Sequence, residues 1–151
     1  MRRLFPGWGG HLALACVISM VVMTGGALAQ GPSPQGVWRS GESTIRVTVT
    51  RTEARGQFVE VGQGARNLGF KPAEVSFVGA IMPANLIHGE QTVRYGAKCH
   101  ANGRKVPMMG RLSPNGQVLA IHFYMIQVDA NCRDSGQYSV TETLWQRVAE
   151  R

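Results

Sequence analysis

The sequence predicts an all-β domain: a small antiparallel meander barrel of seven or eight strands, with a two-sheet β-sandwich as the alternative. Three observations lead there. Extended segments with an apolar residue at every second position recur at spacings of about 8–12 residues. Glycine, proline and asparagine clusters separate them. Beyond the first thirty residues, no stretch sustains a helical period. A closed barrel removes the exposed edges that an exported monomer must otherwise protect.

The elements follow in order. Val37-Trp38-Arg39 begins the ordered part and Gly41-Glu42 turns it. Thr44 to Thr50 is the clearest strand: Ile45, Val47 and Val49 share one face, while Thr44, Arg46, Thr48 and Thr50 share the other. Its β-branched residues suit a pleated, half-buried surface. Gln57 to Val61 is a second short strand after a break at Gly56, and 62–72 is a glycine-rich loop or a single helical turn. Val75 to Ile81 is a strand closed by Pro83-Ala84-Asn85, and Gln91 to Tyr95 runs on to Cys99. Asn102-Gly103 marks a tight turn. Val106 to Leu112 is interrupted by Pro107, which predicts an edge strand or a bulge. After the Pro114-Asn115-Gly116 turn come a long apolar strand, Val118 to Val128, and a last one, Tyr138 to Val148.

The first thirty residues read as an export signal. Arg2 and Arg3 precede the apolar run Leu12 to Met23, and Ala27-Leu28-Ala29 is a small-x-small cleavage site before Gln30. The apolar core is about a dozen residues, short of the roughly 20 that span a bilayer, and Thr24-Gly25-Gly26 breaks it. The organisation that follows is a cleaved signal at 1–29, a flexible lead-in at 30–36 and one β domain at 37–151. No membrane span is expected in the mature form, and the address is the periplasm or the exterior of a bacterium.

Removing the signal also removes Cys16. Cys99 and Cys132 remain, and in an oxidising compartment two cysteines most simply form a disulfide. A bridge across such a loop stabilises by about 3–4 kcal/mol in the chain-entropy model. A redox pair would instead want C-x-x-C spacing and a helix to lower one thiol's pKa. The mature chain keeps 14 basic and 9 acidic residues. The cations are scattered, with no basic arm and no alternation with aromatics, so nucleic acid is not an expected partner.

No catalytic constellation and no cofactor motif emerges. His88, His100, His122, Cys99, Met82, Met108, Met109 and Met125 are ligand types suited to copper or zinc. Strand parity separates them: His122 and Met125 point to opposite faces, as do Met108 and Met109. No metal site is therefore expected, and methionine is explained as core filling. The run Gly64 to Lys71 resembles a P-loop, but the lysine is displaced and no Ser or Thr follows it. No Gly-x-Ser-x-Gly elbow is present.

Gly36-Val37-Trp38 at the head of a short all-β chain resembles the Gly-x-Trp start of the lipocalin-type (calycin) barrels, including small periplasmic metalloprotease inhibitors of bacteria. The resemblance implies that Trp38 closes one end of the barrel. It also implies that Arg147, on the last strand, packs on that ring by a cation–π contact. Ile45, Val47, Val49, Phe77, Phe123 and Met125 would then form an apolar interior, either hollow or filled. The expected function is a non-catalytic exported binding or inhibitory module, its partner an apolar small ligand or a periplasmic protein. The alternatives are an envelope enzyme acting on glycan or lipid, with His88, His100 or His122 carrying the proton, and an accessory protein docking on an envelope partner.

Overall fold

A computed structural model describes residues 31–96, 99 and 102–149. The segment read as a signal peptide lies outside the described residues, as does His100. Eight strands are present among the described residues: β1 (Gly36–Ser40), β2 (Ser43–Thr50), β3 (Glu53–Glu60), β4 (Val75–Met82), β5 (Leu86–Val93), β6 (Arg104–Leu112), β7 (Val118–Val128) and β8 (Asp134–Val148). One short helix, α1 (Gln63–Leu68), sits between β3 and β4. Each strand pairs antiparallel with the next, and β1 pairs with β8 from Val37↔Val148 to Arg39↔Gln146, closing the sheet into a barrel. The sandwich alternative is thereby excluded.

Alternation determines what the barrel contains. On β2, Ile45 and Val47 are buried while Arg46 and Thr48 are exposed. On β6, Val106, Met108 and Leu112 point inward and Lys105, Pro107, Met109 and Arg111 outward. Trp38, Ile45, Phe77, Ile87, Leu119 and Ile121 are essentially inaccessible to solvent. Each large side chain so buried contributes about 1.5–3 kcal/mol relative to exposure. The middle of the barrel is therefore a packed core.

Several boundaries differ from the sequence expectations. Strand β3 begins at Glu53, and Gly56 is an interior position of it. The Phe77 ring lies where a Gly56 side chain would stand, so the glycine makes room for a large core residue across the β3–β4 pair. Strand β5 covers Leu86–Val93 instead of starting at Gln91, because both its neighbours pair with that whole stretch. Pro107 is neither on an edge strand nor in a bulge. It pairs with Glu90 of β5, while the β6–β7 ladder extends only as far as Met108↔Phe123, so its missing N–H falls beyond that ladder's end. Of the six proposed interior residues, Ile45, Val47, Phe77 and Phe123 are buried, while Val49 and Met125 are only partly so. Those two lie toward opposite ends of the barrel.

Candidate functional site

The barrel has two unlike ends. The lower end carries the β2–β3, β4–β5 and β6–β7 turns and the start of β1 and end of β8. The upper end carries α1 and the β1–β2, β5–β6 and β7–β8 connections.

Trp38 plugs the lower end. Its indole Nε1 donates to the carbonyl of Pro34 at 2.8 Å, so its one polar atom is satisfied within the core. The Arg147 guanidinium stacks over the ring, 4.3 Å from the ring centroid. The same guanidinium donates to three carbonyls, Gly116 from Nε at 2.7 Å, Gln35 from Nη1 at 2.7 Å and Ser33 from Nη2 at 2.6 Å. A planar fork with five donors suits this task, and a lysine could not reproduce it. Gly36 completes the arrangement. Its φ of +138° disfavours any side chain, and a Cβ there would stand 2.7 Å from Arg147 Nη1. That is the physical content of Gly-x-Trp in this chain.

The upper end is not plugged. A pocket of about 210 Å³ opens there. Phe58, Phe123 and Trp145 form its apolar walls, while Ser76, Gln91 and Thr143 supply polar groups. The widening has a local cause. The β3–β4 register shifts between Gly56 and Gln57, and the β4–β5 ladder begins only at Phe77↔Gln91. Ser76 sits in that irregularity, almost wholly buried, where a larger residue would fill the space. Above it, Ala65, Leu68 and Phe70 line the pocket from α1 and the turn that follows.

That roof is held at both ends. The Ser43 hydroxyl accepts from the Gly62 amide at 3.0 Å, and the Glu42 carboxylate from the Gln63 amide at 2.9 Å. After α1, Gly69 adopts a left-handed conformation, and Phe70 turns back onto Phe58 with ring centroids 5.2 Å apart. Arg94 lies over the outer side of Phe70 and donates to Glu74 Oε1 from Nε at 2.9 Å and Nη2 at 2.7 Å. The aromatic pair adds about 0.5–1.5 kcal/mol beyond burial. The clip is therefore real but modest, compared with the plug below.

One polar atom of the pocket-lining residues stands apart, Gln91 Oε1. It is buried and has no hydrogen-bond partner. Leaving a buried acceptor unsatisfied costs about 1–3 kcal/mol, which a ligand donor would recover. Among the described residues that line the pocket, Arg94 is the one ionisable group.

On the far side of the upper end, Cys99 and Cys132 form a disulfide with Cα atoms 5.5 Å apart. It ties the β5–β6 connection to the tip of the β7–β8 hairpin. Nearby, burial pushes the Tyr95 phenol above its ordinary pKa.

His88 and His122 lie on the outer wall, away from this pocket. His122 Nε2 is 3.2 Å from Glu142 Oε2. Among the described residues, no three His, Cys, Asp or Glu side chains converge to hold a metal ion. The pocket itself escaped the sequence reading, although Gln91 shares strand parity with the buried Val93, and Thr143 with the buried Trp145. Polar residues at inward positions were the available signal. No family model matches the chain, and no curated protein shows significant similarity to it.

Proposed function

We propose that this protein is a non-catalytic, exported binding module whose upper pocket takes a small, mostly apolar ligand bearing one hydrogen-bond donor. The observation that carries this is the unpartnered Gln91 Oε1 set among Phe58, Phe123 and Trp145. Size narrows the class. Drug-sized pockets run to about 300–1,000 Å³, whereas an apolar cavity of about 150 Å³ already accepts benzene. At about 210 Å³ the pocket suits a one- or two-ring aromatic alcohol or amine. The Trp38–Arg147 stack and the closed eight-strand meander support the lipocalin-type resemblance and, with it, a carrier's role.

Titration of the purified protein with phenol, indole and toluene, followed by calorimetry, tests the reading. Phenol and indole bind, and toluene, which lacks the donor, binds at least about tenfold more weakly. Equal affinity for phenol and toluene, or no binding of either, defeats it.

A protein partner is the second reading. The outer face of β7 and β8 exposes Tyr124, Tyr138, Val140 and Leu144, each by more than half, and exposed apolar patches commonly mark contact surfaces. Val140→Lys separates the two: it leaves phenol binding intact and removes any stable complex with an envelope protein. An envelope enzyme has less support, since neither His88 nor His122 lines the upper pocket.

A further inference from the structure

Register across the barrel's outer wall assembles a row that no single strand contains. Ala80 of β4 stands opposite His88 of β5, His88 opposite Met109 of β6, Met109 opposite His122 of β7, and His122 opposite Glu142 of β8. Strand parity separates neighbours along one chain segment. It correctly separates Met108 from Met109, but the ladder recruits one residue from each of three strands.

We propose that His88, Met109 and His122 form a binding site for a monovalent copper ion. Adjacent strands lie about 4.8 Å apart, so the two histidines stand roughly 10 Å apart with the thioether midway. Closing that gap over Met109 requires the two imidazoles to lean toward each other on binding, with metal–nitrogen bonds of about 2.0–2.1 Å as for zinc. All three line one shallow groove of about 330 Å³, walled by Pro107, Tyr124 and Val140. Met109 is half exposed, so its sulfur is open to an incoming ion.

The donor set selects the ion. Two imidazoles and a thioether are soft to borderline ligands that suit copper(I), while hard divalent ions prefer oxygen donors. Glu142 supplies the outer support. Its carboxylate lies 3.2 Å from His122 Nε2, and a ring that donates from Nε2 keeps the Nδ1 lone pair for the metal. The site is separate from the pocket inside the barrel, and neither requires the other.

The test is an anaerobic titration of the purified protein with copper(I), kept reduced by ascorbate, against a chromophoric copper(I) chelator. The protein withdraws one equivalent. Met109→Leu weakens binding at least tenfold, and His122→Ala weakens it further. Met108→Leu, one residue away but inward-facing, leaves affinity unchanged and controls for altered packing. Silver(I) shifts the Met109 methyl resonance and not that of Met108. A chelator that keeps all its copper overturns the proposal, and so does a Met109→Leu protein that competes as well as the parent.

Discussion

The two ends of this barrel are built from similar materials to opposite effect. Each has a tryptophan, an arginine stacked on an aromatic ring and a set of backbone carbonyls or carboxylates to hold the arginine. Below, Trp38 is fully buried with its N–H satisfied, and Arg147 fastens three separate segments over it. Above, Trp145 forms one wall of a cavity, and Arg94 clips a short loop whose Phe70 covers the opening only in part. Among the described residues, the lower end leaves no buried side-chain polar atom without a partner. The upper end leaves the Gln91 side-chain carbonyl and the Tyr95 hydroxyl without partners. A fold stabilised by its closed end can tolerate an unfilled space at the other, and such unfilled spaces are where ligands bind.

The largest effect should come from breaking the closed end. Trp38→Ala removes a wholly buried indole, and the expected loss is about 3–5 kcal/mol of stability, read as a lower urea midpoint. A loss below about 1 kcal/mol would mean that Trp38 is not the plug.

Reducing the Cys99–Cys132 bridge comes next. The chain-entropy model gives about 3–4 kcal/mol for this loop, again measured by urea unfolding with and without reductant. Because the bridge lies at the rim of the upper end, away from Arg147, the reduced protein should keep the Trp38 environment unchanged in near-ultraviolet circular dichroism until it unfolds.

Gln91→Met sharpens the contrast in the other direction. It replaces an unsatisfied buried carbonyl oxygen with an apolar chain of similar length, so stability should rise by about 1 kcal/mol while the preference for phenol over toluene disappears. A stability gain with binding intact would show that the carbonyl is not the recognition point.

The smallest effect concerns Tyr95. Burial raises its pKa, so folding favours the neutral phenol. Its contribution is fully present below the unfolded value of about 10 and is lost as pH rises through the higher folded value. Tyr95→Phe should therefore reduce the loss of stability in alkali and change little at neutral pH.

Alternation made much of the fold legible. The pattern from Thr44 to Thr50 identifies β2 and its inward face without ambiguity, and Asn102-Gly103 and Pro114-Asn115-Gly116 fall in turns. What could not be read locally depends on pairing. Leu86-Ile87-His88-Gly89-Glu90 has no strong strand pattern, yet it lies between β4 and β6, which supply its ladder partners. Gly56 resembles a chain break and is instead the gap that accepts Phe77. The pocket follows from a register shift at Gln57 and a buried serine at 76. The outer row of His88, Met109 and His122 exists only once strand order and register are known.

The difference between the ends is most directly tested by following the indole N–H resonances of Trp38 and Trp145 during a phenol titration, each assigned from its Trp→Phe variant. Saturable movement of the Trp145 signal, with Trp38 stationary, is the result the two-ended barrel predicts. Movement of Trp38 with Trp145 unaffected would contradict it.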